Sequence, residues 1–195
     1  MYNNDELINI IKERLSEKRF RHSLNVADCA RTLAKKYGAD EEKAYTAGIL
    51  HDIMKEEAID IQRKYMAENG ESIRETEFPN PLVYHQVSGA AYCRLALGID
   101  DQDVLSAIRF HTTGRRGMAL LEKVVYTADF ISADRCYPDV DIMRTKAEES
   151  LDEAMLYSLK YTISDLSKRG KAIHIDTVEC YNAILENFKE KDLDI

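Results

Sequence analysis

The strongest constraint in this sequence is a helical spacing of apolar residues that recurs from one end of the chain to the other. In the first such segment, Leu7, Ile10, Ile11 and Leu15 share one face of a helix predicted over residues 5–18. The alternation of β-branched and polar residues that is typical of strands extends nowhere beyond about four residues. The pattern therefore predicts an all-α fold.

Residues that begin and end helices divide this pattern into segments. Gly38 is predicted to end a helix over 20–37, and Asp40 to cap the helix that leads to His51 and Asp52. The remaining predictions are helices over 55–68, 81–98, 118–132, 139–168 and 176–189, a helix from Asp100 or Asp101 to 111, a break near 19–21, a surface loop up to Pro79, and a capping box formed by Asp176 and Glu179.

Size and charge limit the functions open to the chain. Its 195 residues, 45% hydrophobic and 32% charged, suit a single domain with a full core. No stretch of about 18 apolar residues lacks a charge, and the first residues lack the basic start and apolar core of a signal peptide, so we expect a cytoplasmic protein without a membrane span. A net charge of −8 disfavours diffuse binding to nucleic acid or to anionic membranes.

The four cysteines argue against a site built from thiolates. Cys29, Cys93, Cys136 and Cys180 are widely spaced and form no CxxC pair, unlike the cysteines of a zinc ribbon or a disulfide framework. Free cysteine is among the most buried residue types. We therefore expect four reduced thiols in the core.

Two polar residues on apolar helix faces are candidates for chemistry. His22 shares a stripe with Val26 and Ala30, so its ring is predicted to point inward, where a backbone carbonyl or a metal ion would satisfy it. Asp129 lies on an apolar helix with no basic residue one turn away. A buried carboxylate needs compensation, which either a salt bridge, for example to Arg135, or a metal ion would supply.

The order of these residues along the chain is more specific than either alone. His22 is followed by the pair His51-Asp52, then by His85, His111 and Asp129, each on a different predicted helix. This order resembles the HD-domain metal-dependent phosphohydrolases, which are helical proteins that hold one or two metal ions at these positions. The resemblance of the core motif covers about residues 20–132 and implies an HD-type helical bundle.

Local segments narrow the resemblance to one branch. The YqeK-type family is similar to this chain at RHSLNVA (21–27), AGILHDIMK (47–55), HQVSGA (85–90), IRFHTTG (108–114), ADFISADR (128–135) and IHIDT (173–177). With these segments the resemblance spans nearly all of residues 1–195, as one domain whose C-terminal helices complete a substrate pocket. That family consists of iron-containing symmetrical diadenosine tetraphosphate hydrolases, and it usually has proline where this chain has Ile175.

The resemblance also implies a metal site. His22, His51, Asp52 and Asp129 would bind the first ion, whereas His85 and His111 would bind a second ion or hold phosphate oxygens. Imidazole nitrogen and carboxylate oxygen suit iron, manganese, zinc and similar ions. Only the resemblance favours iron among them.

Further residues are predicted to serve substrate and catalysis. Lys55 follows Asp52 by three residues and is predicted to be catalytic together with Asp52, His85 and His111. The substrate contacts are predicted to come from His85, His111, Thr112, Arg135, His174 and Thr177. For the last two the reason is their place at the start of the final predicted helix, where backbone N–H groups favour anions.

Four interpretations fit the same residues. The activity implied by the resemblance is symmetrical cleavage of diadenosine tetraphosphate into two ADP by a metal-activated water. The arrangement also fits hydrolysis of a nucleoside mono-, di- or triphosphate, a non-catalytic sensor module with a structural metal, or a helical protein with unrelated core histidines. The expected partner is a dinucleoside polyphosphate or another nucleotide, and a homodimer formed through an apolar helix face fits the sequence as well.

Overall fold

The computed structural model describes residues 3–71 and 81–193, with side chains as far as residue 188. The helices in these ranges are α1 Asn4–Arg14, α2 Glu17–Tyr37, α3 Glu41–Leu50, α4 Ile59–Glu68, α5 Tyr84–Leu95, α6 Gln102–Phe110, α7 Leu120–Ile131, α8 Val140–Glu149, α9 Leu151–Lys168 and α10 Ile175–Leu193, with a 3-10 turn at Pro81–Val83. The described parts of the chain contain no strand. The predicted all-α fold is confirmed, while part of the predicted surface loop, residues 72–80, lies outside the described residues.

The predicted signals at helix ends account for several boundaries. Asp40 accepts a hydrogen bond from the backbone N–H of Lys43 and caps α3, and Asp101 caps α6 in the same way. Gly38 ends α2 with φ 78°, a left-handed conformation that glycine adopts without a steric penalty. The two aspartate caps fix the first residues of α3 and α6, the helices that lead to His51 and His111.

Two predicted boundaries near the N-terminal half are wrong. The break between the first two helices lies at Leu15 and Ser16 rather than near 19–21, because the Ser16 side chain caps α2. Residues 51–57 form successive turns with i to i+3 hydrogen bonds, among them Lys55 N–H to the Asp52 carbonyl, so α4 begins at Ile59 and not at 55. Arg19 is consequently helical, whereas Lys55 lies in a tight turn close to Asp52.

Three further predictions require correction. The predicted helix over 139–168 is two helices, because Ser150 is extended and caps α9. The final helix begins at Ile175, so Asp176 is its second residue and does not cap it. Among the cysteines, Cys93 and Cys180 are buried and Cys29 is partly buried, but Cys136 is exposed in the segment between α7 and α8 and does not contribute to the core.

The core is built around α2, α3 and α7. Helix α2 packs along α3 and against α7, and α6 covers α3 and α7 from the other side. A second buried cluster joins α7 to α9 and α10 and consists of Met118, Tyr126, Met155, Leu159, Cys180 and Ile184. No helix among the described residues is both long and apolar enough to cross a membrane.

Close contact between α2 and α3 depends on Gly48. A Cβ atom at this position would lie 2.6 Å from Cα of Ala27. The Gly48→Ala substitution should therefore destabilise the fold, because overpacking costs about 1–3 kcal/mol and the opposing atom is backbone, whereas alanine recovers only about 1 kcal/mol of helix propensity. Urea denaturation of both proteins measures the difference.

Gly89 in α5 provides the matched control. A Cβ there would lie 3.4 Å from Cγ2 of Ile108, an ordinary contact. Gly89→Ala should leave stability unchanged or slightly raised. Equal stability of Gly48→Ala and the wild type would show that α2 and α3 tolerate a wider separation.

Candidate metal centre

The predicted histidines and aspartates converge on one point between the central helices. His22 comes from α2 and His85 from α5, while His51 with Asp52, and His111, directly follow α3 and α6, and Asp129 comes from α7. The four histidines and Asp52 are buried, and the Asp129 side chain is 15% exposed. The structure thus brings together every residue predicted to bind metal.

Hydrogen bonds orient the imidazole rings. In three of the histidines, Nδ1 lies 2.7–2.8 Å from the main-chain carbonyl oxygen of the residue three positions earlier; these are His51, His85 and His111. Because a carbonyl oxygen only accepts hydrogen bonds, Nδ1 carries the proton and Nε2 is left with a lone pair. Each of these lone pairs points into the cluster.

His22 is oriented differently. Its Nδ1 donates to Oδ2 of Asp134 at 2.8 Å, and its Nε2 lies 3.0 Å from Oδ1 of Asp129. Nε2 of His22 therefore faces the same centre as the other three rings. Sequence reasoning did not assign a role to Asp134, although it is the last residue but one of the ADFISADR segment.

The donor atoms form two overlapping groups. His22, His51 and Asp129 have donor atoms within 4.8 Å of one another, as do His51, Asp52 and His111. Asp52, a member of the second group, also reaches the first: its Oδ2 is 3.4 Å from Nε2 of His51 and 4.0 Å from Nε2 of His22, while its Oδ1 is 3.6 Å from Nε2 of His111 and 3.3 Å from Nε2 of His85. Neighbouring ligands of one ion are about 3 Å apart when each bond is about 2.1 Å long, so these spacings suit metal binding.

The unpaired atoms of this cluster fit a cation. Nε2 of His51 and Oδ1 of Asp52 are buried and make no hydrogen bond. In addition, Nε2 of His85 lies 3.1 Å from Nε2 of His111, which places two lone pairs opposite each other. Buried acceptors without partners are costly, and a metal ion at this point would satisfy them together.

The electrostatics keep Asp52, His85 and His111 in the protonation states that metals require. Burial alone would raise the pKa of Asp52, but His51 and His111 hold it well below its usual range. Burial lowers the pKa of His111, and burial together with the positive charge of Lys55 holds the pKa of His85 well below its usual value. Ionised carboxylates and neutral imidazoles are the forms that bind metal.

Two arginines compensate the buried carboxylates. Arg19 donates to Oδ2 of Asp52 at 2.7 Å, and Arg135 donates to Oδ1 of Asp129 and, at 2.6 Å, to its carbonyl oxygen. The salt bridge between Asp129 and Arg135, one of the two alternatives for this carboxylate, is present. The Asp129 carboxylate also contacts His22. Sequence reasoning missed Arg19, whose only signal is its place three residues before His22 on one helix.

A pocket of about 230 Å³ opens beside the cluster and contains four of the predicted functional residues. Lys55, Thr112, His174 and Thr177 line it, together with Leu166 and other residues of the C-terminal helices. Nζ of Lys55 lies 3.0 Å from Nε2 of His85, and Oγ1 of Thr112 lies 3.1 Å from the same nitrogen. Arg135 does not line this pocket.

The start of α10 differs from the prediction in one respect. The N–H of Asp176 donates to Nδ1 of His174, and the N–H of Thr177 donates to the carbonyl oxygen of His174. These first-turn N–H groups already have partners within the chain and are not directed at an anion. His174 and Thr177 nevertheless line the pocket.

Gln86 is a second residue that sequence reasoning missed. It is fully buried, and its Oε1 accepts hydrogen bonds from the N–H groups of Thr112 and Thr113 at 3.1 and 3.2 Å. Its Nε2 also donates to Oγ1 of Thr113. Gln86 thereby ties α5 to the turn that carries His111 and Thr112.

Comparison with known proteins agrees with this geometry. Residues 19–134 match the HD domain family, and this chain belongs to that family. Hydrolases of the family are metal-dependent, in keeping with the histidine and aspartate cluster.

Relatives over the full length are more specific. A protein of Halalkalibacterium halodurans named bis(5'-nucleosyl)-tetraphosphatase, symmetrical, is 40% identical over 183 residues, 94% of this chain and 97% of the relative. A Bacillus subtilis protein of the same name is 37% identical over 92% of this chain and 96% of its own. A crystal structure from Clostridium acetobutylicum, described as a predicted HD superfamily hydrolase involved in NAD metabolism, has a TM-score of 0.93 and 37% identity, covering 96% of this chain and 99% of that chain.

Removal of the carboxylate between the two donor groups should remove the metal. Asp52→Ala is expected to abolish metal retention, because Asp52 faces both groups, and to leave the far-UV circular dichroism spectrum unchanged. Elemental analysis of protein purified without a histidine tag measures the metal content. The exposed Asp60→Ala in α4 is the control, and full metal retention by Asp52→Ala would contradict the assignment.

Proposed function

We propose that this chain is a metal-dependent hydrolase that cleaves diadenosine tetraphosphate symmetrically into two ADP. The observation that carries the proposal is the buried cluster of four histidines and two aspartates, which adjoins a pocket lined by Lys55. The full-length relatives named as symmetrical tetraphosphatases support this substrate.

The metal would be held by residues from five helical segments. His22, His51, Asp52 and Asp129 are proposed to bind one ion, and His85 and His111 are placed to bind a second together with Asp52. The position of Asp52 between these two sets of ligands supports two ions, because its Oδ2 faces His51 and His22 whereas its Oδ1 faces His85 and His111. The described cysteines are absent from the cluster, so the donors are nitrogen and oxygen, which suit iron, manganese and zinc; we propose iron on the family resemblance.

The chemistry divides between the metal and the chain. A bound metal lowers the pKa of water and neutralises charge on the phosphoryl group under attack. The chain contributes Lys55, whose ammonium lies within 4 Å of both His85 and Asp52 and can pair with a phosphate oxygen there. The hydroxyl of Thr112 is within hydrogen-bond distance of Nε2 of His85. Lys55 and Thr112 can therefore both orient the reacting phosphate.

The pocket is too small to enclose the whole substrate. Its volume of about 230 Å³ is below the range of about 300–1,000 Å³ that is usual for pockets enclosing a whole small-molecule ligand. We propose that α9 and α10 complete this pocket, with His174 and Thr177 contacting one ADP moiety. Arg19 and Arg135, both partly exposed and neither lining this pocket, would contact the phosphates of the second moiety.

The products identify the reaction. Metal-loaded protein incubated with diadenosine tetraphosphate should yield ADP as the sole nucleotide, as resolved by chromatography, because cleavage falls at the central bridging oxygen. ATP together with AMP would contradict symmetrical cleavage. Faster turnover of a nucleoside mono-, di- or triphosphate would favour another nucleotide as substrate, and no turnover of any nucleotide by metal-loaded protein would favour a sensor module.

Lys55 should affect the reaction without affecting the metal. Lys55→Ala is expected to lower kcat/KM for diadenosine tetraphosphate by about 10²-fold or more, the usual cost of removing a positioned charge from a transition state, with unchanged metal content. Lys64→Ala, which removes a largely exposed lysine of α4, is the matched control. Equal rates for both variants would exclude a role for Lys55.

A further inference from the structure

One of the four histidines differs from the others in what holds its outer nitrogen. Nδ1 of His51, His85 and His111 donates to a neutral carbonyl oxygen within the same helical turn. Nδ1 of His22 instead donates to the carboxylate of Asp134, which lies 112 residues away in the chain, at 2.8 Å. His22 is therefore the only one of the four with a charged hydrogen-bond acceptor at Nδ1.

The carboxylate is itself held in place. Oδ1 of Asp134 accepts hydrogen bonds from the Ser132 hydroxyl at 2.9 Å and from Nδ2 of Asn25 at 3.2 Å, which leaves Oδ2 for His22. Arg144 donates to three carbonyl oxygens within residues 131–135 at 3.0–3.2 Å and so fixes the backbone of this segment. Asp134 thus reaches His22 from a rigid support.

We infer that Asp134 is a positioning residue of the metal centre, which fixes the His22 ring and makes its Nε2 a stronger donor to the metal. The inference rests on the metal site of the proposed function but not on its substrate. A carboxylate that accepts the distal N–H of a metal-bound histidine fixes the tautomer and raises the basicity of the ligating nitrogen, and its loss usually weakens metal binding by about 10–100-fold.

A purely structural role would have a different signature. Asp134 also links the segment after α7 to α2 through Asn25, so its loss could loosen the fold without acting on the metal. In that case the melting temperature of the metal-free protein would fall, and metal affinity would not. Metal affinity and the melting temperature of the metal-free protein must therefore be measured together.

The experiment is a titration of metal-free protein with Co²⁺, followed by its visible absorption. The Co²⁺-binding step that is weakened in His22→Ala is the step that uses His22. The Co²⁺ affinity of that step is then compared among the other variants. Asp134→Ala should weaken it by about 10–100-fold and change the Co²⁺ spectrum. Asp134→Asn, which keeps an acceptor oxygen without the charge, should fall between Asp134→Ala and the wild type.

Asp141→Asn is the matched control. Asp141 is an exposed carboxylate that pairs with Arg144, the same side chain that supports the Asp134 segment, but it does not contact His22. This variant should bind Co²⁺ as the wild type does. An equal loss of affinity in Asp141→Asn, or wild-type affinity in Asp134→Ala, would overturn the inference.

Three remaining outcomes are also decisive. If Asp134→Ala does not fold, Asp134→Asn carries the test, and wild-type affinity in that variant would show that the charge of Asp134 has no effect on the metal. If the wild type binds no Co²⁺, the proposed metal centre fails and this inference with it. Binding of Co²⁺ without hydrolysis of diadenosine tetraphosphate would overturn the proposed reaction and leave the role of Asp134 intact.

Discussion

The arrangement of this molecule depends on hydrogen bonds from histidine side chains to carbonyl oxygens at the ends of helices. The last carbonyl groups of an α-helix lack partners within the helix, and in α3 and α6 one of these groups is satisfied by His51 or His111 just beyond the helix. The same hydrogen bond that completes the helix end aims Nε2 into the interior. Where α3 and α6 end therefore determines where two of the proposed metal ligands lie.

Charge balance explains how so many polar groups remain buried between central helices. The carboxylates of Asp52 and Asp129, and the more exposed Asp134 beside His22, are matched by three cations, Arg19, Lys55 and Arg135. Burial of unpaired carboxylates would otherwise be strongly unfavourable. Any bound divalent ion adds positive charge to a site whose own charges nearly cancel. The resulting positive charge favours an anionic tetraphosphate over a neutral ligand. Metal binding should also stabilise the folded state, because the unfolded chain does not assemble these ligands.

Local signals predicted the fold class, the family resemblance implied the proposed ligand set, and contacts between distant segments explain what was missed. The sequence predicts the helix that leads to the His51-Asp52 pair, because both its cap and its end are encoded within about a dozen residues. Arg19, Gln86 and Asp134 were not predicted, since each acts on a residue from another part of the chain. A basic residue near a helix start or a glutamine in an apolar helix has many structural roles, and the sequence alone does not distinguish among them.

The difference from the family at Ile175 can be interpreted from its position. Ile175 is the first residue of α10, and it follows His174, whose ring and carbonyl accept hydrogen bonds from the next N–H groups of the helix. Proline is favoured at the first helical position because that N–H has no partner within the helix and the fixed φ suits the helix. Isoleucine loses some of this rigidity but changes no hydrogen bond that holds His174. Because the hydrogen bonds on His174 come from N–H groups beyond residue 175, the half-exposed Ile175 is compatible with the observed positions of His174 and Thr177 in the pocket.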